Sequence, residues 1–179
     1  VMAVFGRIAV WKGQQTAIAA LRALPGDCHL WIVGAPLFGE QAVEQALRSL
    51  ATEGGLSPRV HFLGFRHDVP TLMRAADVIV HASTLPEPFG RVIVEGMLAR
   101  RPVIATAAGG VGEIIDDGRT GVMVPPGDAA ALARAVQALR DDPERAAALA
   151  AAGAVHARQA FSVGAMVRGV RAVFDEVAG

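Results

Sequence analysis

The chain has 179 residues, 17 Lys+Arg balanced by 17 Asp+Glu, and a 53% hydrophobic, 19% charged composition; one domain with a real core fits, and disorder is excluded. Zero formal net charge argues against a nucleic-acid or membrane-surface protein, because either normally carries a basic excess. A single Cys excludes a disulfide framework or Cys-rich zinc site and suggests a reducing compartment, while no apolar run reaches the ~20 residues of a membrane span and no signal-peptide pattern is visible.

In chain order, the pattern predicts a strand over Met2–Arg7 and a helix over Gln14–Leu24, ended by Pro25-Gly26. Leu30–Val33 is a second strand, and Gly39–Thr52 a helix closed by Gly54-Gly55. Val60–Gly64 (strand), Val69–Ala76 (helix) and Val78–Val80 (strand) follow; the last is an unbroken β-branched run, as in a strand buried on both faces. A loop with Pro86 and Pro88 leads into a helix from about Gly90 to Arg100. Pro102–Thr106 is a strand, Val111–Asp116 a short helix and Thr120–Val124 the last strand. Helices over Ala129–Arg140, Glu144–Ala160 and Val163–Val177 finish the chain, with Asp142-Pro143 fitting N-cap and N1 between the first two. Such βα alternation implies an α/β domain with one doubly wound parallel sheet.

Ligands of open parallel sheets bind beyond the carboxyl ends of the strands, so the loops there are the candidates. Sixteen Arg stand against a single Lys, Lys12. Arg7 at a strand end and Lys12 at the opening of the first helix could clamp an anion, as a fork and a point charge; the plainer reading is two solvated charges. Glu87 precedes a helix N-terminus at Gly90, and Glu95 lies about a turn and a half inside it. Free N–H groups there favour phosphate, while carboxylates suit sugar or ribose hydroxyls. The alternatives are an acid beside a helix dipole for Glu87 and a surface pair with Arg91 for Glu95. Gly109-Gly110, ahead of Glu113, suggests either close backbone approach to a ligand or a flexible loop. Trp11 is a lid or, more simply, a packing residue; His29, His61 and His81 fit structural roles. No His/Cys/Asp/Glu set has metal-ligand spacing.

Six segments stand in one register: Gly6-Arg7-x4-Lys12-Gly13, Phe62-Leu63-Gly64-Phe65, Glu87-Pro-Phe-Gly-x4-Glu95, Arg101–Thr106, Gly109-Gly110-x2-Glu113-Ile114 and Thr120-Gly121-x3-Pro125-x-Gly127-Asp128. Together they resemble the C-terminal, donor-binding half of GT-B fold retaining glycosyltransferases of group 1 (family 4), from Val4 to the end. The resemblance implies that Arg7 and Lys12 neutralise a nucleotide diphosphate, Glu95 holds the ribose and Glu87 faces the donor sugar. It further implies backbone donors at Phe89, Gly90 and Arg91, Val92 against the nucleoside, and the backbone of Gly64, Phe65 and Arg66 near the base. Gly112 departs from the Pro common in relatives. Arg7, Lys12 and Glu87 are then the catalytic candidates, with no metal and no cofactor beyond a UDP-, GDP- or ADP-sugar donor. The expected partners are that donor and an N-terminal acceptor half outside this chain, through which alone any membrane contact would run. Cytoplasmic location and a role in bacterial cell-surface polysaccharide or glycolipid synthesis go with the resemblance. An apolar final helix, including Met166, Val170 and Phe174, is similar to the segment that crosses to the other half, and exposing it would favour self-association. An epimerase-like GT-B domain and a non-catalytic nucleotide-binding module are the alternatives.

Overall fold

The computed structural model describes residues 1–37 and 39–178. Six parallel strands, β1 (Met2–Phe5), β2 (Leu30–Val33), β3 (Val60–Gly64), β4 (Val78–His81), β5 (Val103–Thr106) and β6 (Val122–Val124), form one sheet in the order β3-β2-β1-β4-β5-β6. The helices are α1 (Gln14–Leu21), α2 (Gln41–Glu53), α3 (Val69–Ala75), α4 (Arg91–Leu98), α5 (Val111–Ile114), α6 (Ala129–Asp141), α7 (Pro143–Ala160) and α8 (Val163–Ala178). This is the Rossmann-like, doubly wound fold that the alternation predicts.

Period-two alternation along the strands builds two cores. Met2, Val4, Leu30, Ile32, Val78, Val80 and Ile104 pack on one face with Ile18 and Leu21 of α1, Leu47 of α2 and Leu132 of α6. Ala3, Phe5, Val33, Ile79, Val103 and Ala105 pack on the other with Met73 of α3, Ile93 and Met97 of α4, and Ile114 of α5. Every residue of β1, β4 and β5 is buried, as crossovers on both faces require.

Several boundaries differ from expectation for identifiable reasons. β1 stops at Phe5, and a 3-10 turn over Val10–Lys12 precedes α1; Lys12 closes that turn instead of opening the helix. α1 ends at Leu21, short of Pro25, because the Arg59 side chain donates to the carbonyls of Leu21, Leu24 and Pro25. Asp128 and Asp142 cap α6 and α7 through bonds to the N–H groups of Ala131 and Arg145, and Pro143 at N1 of α7 follows the sequence reading. α8 leaves Val163, Met166, Val170, Val173, Phe174 and Val177 exposed, Phe174 at 69%, so the apolar stripe expected at this end is uncovered in the chain. No helix among the described residues is long and apolar enough to cross a membrane.

Candidate functional site

Strand order reverses between β1 and β4, so the loops after these two strands diverge and leave a crevice. Lys12 comes from the first loop and Glu87 from the second, and they meet across the crevice with Nζ 2.8 Å from Oε1. Two backbone features bring the loops together. The Thr84 N–H and hydroxyl both donate to the Trp11 carbonyl, at 2.7 and 3.2 Å. Gly13, at φ 71°, passes so close to β4 that a Cβ would lie 1.8 Å from the Ala82 oxygen, which only glycine permits.

Glu87 Oε1 accepts from Lys12, from His81 Nε2 at 3.0 Å and from the Ser83 hydroxyl. Burial pushes the carboxyl pKa up, but the three hydrogen bonds outweigh it and hold the group at about 2 against its usual 4.5. Glu87 is thus an ionised acceptor fixed by three donors, not merely an acid near a helix dipole. His81, read from the sequence as structural, does form a structural bond, and its partner is this candidate site residue. The missed signal was its spacing: His81 ends β4, six positions before Glu87, at the sheet edge where ligands bind.

Arg7 donates to Glu40 at 3.0 Å, a residue ahead of α2 to which the sequence reading gave no role. Trp11 is not packed in the core. Its half-exposed indole carries the Lys12 ammonium 4.3 Å and the Arg7 guanidinium 5.5 Å from the ring centroid, a cation–π platform that sets two cations side by side.

Next to this cluster is a hollow of about 340 Å³, lined by Phe5, Gly6, Arg7, Val33, Gly34, Ala35, Leu37, Phe65, Arg66, Val69, Arg91, Val92 and Glu95. Six residues singled out in the sequence (Arg7, Phe65, Arg66, Arg91, Val92 and Glu95) therefore share one cavity at the carboxyl ends of β1, β2 and β3. Phe65 is 70% exposed and meets His67 edge-on at 4.8 Å. Arg66 is bidentate to Asp68, at 2.8 and 2.7 Å; that bond raises the arginine pKa and lowers the aspartate's. Glu95 lies 3.9 Å from Arg91, so the loose surface pair is present on the same face that lines the cavity. Gly64 does not line it; its carbonyl accepts from the Gly34 N–H. Phe89 also lies off the cavity, its ring edge-on to Phe161 at 5.6 Å. Gly90, at φ 72°, starts α4 and presents the helix's first N–H groups toward the crevice end.

Gly109 and Gly110 have a packing partner that the sequence alternatives did not include. A Cβ on Gly109 would sit 2.4 Å from the Glu87 carbonyl oxygen, and one on Gly110 2.4 Å from that of Pro88. The Gly110 N–H donates to the Glu87 carbonyl at 3.0 Å. The pair lets the β5 loop lie against the backbone that carries Glu87. Glu113, in the first turn of α5, is exposed, and a Cβ on Gly112 would meet nothing within 4 Å.

A larger hollow, about 620 Å³, lies at the opposite ends of the strands, against Met2, Val78, Pro102, Leu139 and Arg140. It holds none of the candidate site residues, and parallel sheets bind ligands at their carboxyl ends; the smaller hollow is the candidate site.

A family model described as glycosyl transferases group 1 matches residues 1–156. Among solved structures, HepE of Anabaena in complex with UDP is 39% identical with a TM-score of 0.94, over 98% of this chain and 48% of that one. The C-terminal domain of a glycosyl transferase group 1 family protein (LpcC) from Francisella tularensis is 28% identical with a TM-score of 0.83, covering 90% of this chain and 86% of that domain. The lipopolysaccharide core biosynthesis glycosyltransferase LpsE of Rhizobium meliloti is 39% identical over 137 residues, 76% of this chain and 38% of LpsE. The chain thus spans less than half of HepE or LpsE. Matched by the family model over most of its length, the chain belongs to the glycosyl transferases of group 1.

Proposed function

We propose that this chain is the donor-binding half of a GT-B glycosyltransferase, taking a nucleotide-diphosphate sugar for retaining, metal-independent hexosyl transfer. One observation carries the reading: Lys12 and Glu87 meet across the strand-order reversal, beside the cavity that gathers Arg7, Arg66, Val92 and Glu95. Solved structures of the 39%-identical HepE include complexes with UDP and with UDP-glucose, which supports a uridine nucleotide as the first donor to test.

In this assignment the diphosphate lies between Arg7, Lys12 and the first N–H groups of α4, which neutralise the leaving group as its bond to the sugar breaks. Glu95 accepts from the ribose hydroxyls, and Val92 and the Phe65–Arg66 segment line the nucleoside end. Glu87, kept ionised, accepts from the sugar hydroxyls. Arg7 and Lys12 supply cationic charge where a divalent ion would otherwise serve, so nucleotide affinity should be equal with magnesium or with a chelator. The acceptor half lies outside the 179 residues; the chain binds donor and transfers no sugar by itself, because orienting an acceptor can supply ~7–11 kcal/mol of the barrier. Its exposed α8 stripe favours self-association, measurable by sedimentation velocity.

The test is calorimetric titration of the chain with UDP, GDP, ADP and their glucose or mannose conjugates, with and without EDTA. Saturable binding of one nucleotide family, abolished by neither Arg91→Ala nor EDTA but weakened by Lys12→Ala, is expected. Absence of binding by every one of these ligands overturns the donor assignment. In the full-length enzyme, NMR of the product anomer decides retention.

A further inference from the structure

We infer that His81, assisted by Ser83, is a positioning residue that holds the Glu87 carboxylate with Oε2 turned toward the donor sugar; this rests on the donor assignment above. His81 is 6% exposed at the end of β4, with Nε2 3.0 Å from Glu87 Oε1. An ionised carboxylate only accepts, so Nε2 carries the hydrogen and donates. Nδ1 is buried without a hydrogen-bond partner; as a bare acceptor it is better tolerated than an orphaned donor would be, so both ring nitrogens agree on one tautomer.

The donors share one oxygen. Lys12, His81 and Ser83 all reach Oε1, and Oε2 is bonded by none of the described residues, nor is it among the buried orphaned atoms. A carboxylate gripped at one oxygen has its plane fixed and its other oxygen open. Of the three donors, Lys12 is the long and adaptable one, and in the assignment above it also serves the diphosphate. The rigid part of the grip is therefore His81 and Ser83. Ser83 is itself tied down, since its carbonyl accepts from the buried Thr106 hydroxyl at 2.7 Å. The imidazole also abuts the start of α4: a Cβ on Gly90 would lie 3.7 Å from Nε2. His81 thus links the sheet, the carboxylate and the helix that presents its N–H groups.

A histidine that merely fills space would change stability on removal but not the preference between UDP-glucose and UDP. The experiment compares wild type, H81L, H81Q and S83A in calorimetric titrations with UDP and UDP-glucose. H81L should weaken UDP-glucose by ~10-fold or more, the scale of a hydrogen bond to a charged group, and UDP by less than ~2-fold. H81Q places an amide N–H near the position of Nε2 and should restore UDP-glucose affinity to within ~3-fold, while S83A should give a smaller loss in the direction of H81L. A second readout needs no ligand: the Glu87 carboxyl carbon resonance, followed from about pH 6 to about pH 3.5, should titrate at higher pH in H81L and return in H81Q. An unchanged UDP-glucose to UDP ratio, or an unmoved resonance in H81L, overturns the proposal. If H81L does not fold, S83A decides by the same two measurements. If wild type binds neither ligand, the donor assignment has failed, and the resonance alone decides whether His81 holds Glu87.

Discussion

Around Glu87 the charges are enclosed and bonded to one another, whereas around Glu95 they are open and loosely paired. Lys12 and Glu87 are 17% and 13% exposed and 2.8 Å apart; Arg91 and Glu95 are 81% and 44% exposed and 3.9 Å apart. An enclosed, hydrogen-bonded charge is oriented before any ligand arrives, and breaking its grip leaves an uncompensated partner. Exposed pairs contribute ~0–1 kcal/mol and exchange partners readily. Under the proposed donor assignment, the contrast divides the site into a preformed inner part for the reacting sugar and an adaptable outer part for the nucleotide.

The strongest test of that division is Lys12→Ala. It removes a cation from the diphosphate and a donor from Glu87 together, so UDP-sugar affinity should fall by ~1.5–3 kcal/mol. Arg7→Ala removes only the first function, so its loss should be smaller. Calorimetry with UDP, UDP-glucose and uridine measures both variants. Equal losses for the two variants, or for uridine and UDP, would erase the distinction.

Gly109→Ala attacks the inner part through its backbone. The new methyl would overlap the Glu87 carbonyl oxygen, at a φ of 62° that L residues rarely adopt, and strain of this kind costs about 1–3 kcal/mol. Thermal melting should show that loss, with UDP-glucose affinity falling further than UDP affinity. Gly112→Ala is the control: its Cβ meets nothing within 4 Å, and a helical Ala is favoured over Gly by up to ~1 kcal/mol.

The layout was legible because alternation fixes it. Val78–Val80 announced a central strand, and the loops after strands are where a parallel sheet binds, so Arg7 and Glu87 could be placed at that edge without coordinates, while the role given to Glu95 came from the family resemblance. Lys12 stood out as the single lysine among sixteen arginines. What escaped reading depends on contacts between loops distant in sequence. Nothing local in Trp11 says that it will carry two cations, and nothing in Gly109 says that Glu87 will pass beneath it. The end of α1 was misplaced for the same reason, since Arg59 satisfies its carbonyls from 38 residues away. Phe89 shows the converse: it sits inside the most informative motif, yet its ring packs on Phe161 at the end of α7.

The Glu87 charge gives a pH test of the inner part. Its pKa is depressed from 4.5 to about 2, so the native state binds this proton less readily than the unfolded chain. Ionised Glu87 therefore stabilises the fold fully above about pH 4.5, and that contribution disappears as pH falls through about 2. Wild type should lose melting temperature over this window more steeply than Glu87→Gln, which has no proton to gain there. Parallel melting curves for the two proteins from neutral to acid pH would show that the carboxylate is not held as described.

The outer part should be the more forgiving, and Glu95 and Arg91 grade it. Glu95→Gln keeps the shape of the side chain but weakens acceptance from ribose hydroxyls, so nucleotide affinity should fall by ~0.5–1.5 kcal/mol, equally for UDP and UDP-glucose. Glu87→Gln should instead weaken UDP-glucose while leaving UDP nearly unchanged. Arg91→Ala is expected to do least. Its side chain is 81% exposed and its Nε lies beyond hydrogen-bond distance of Glu95, and an i,i+4 pair with Arg first is the poorer orientation, worth ~0.3 kcal/mol. The truncation keeps the backbone N–H at the start of α4, which is the group assigned to the phosphate, and Ala suits the helix at least as well as Arg. Affinity for UDP should therefore stay within ~2-fold of wild type, as expected for an exposed charge. A tenfold loss would mean that the Arg91 side chain itself grips the nucleotide, and that the outer part is held no more loosely than the inner.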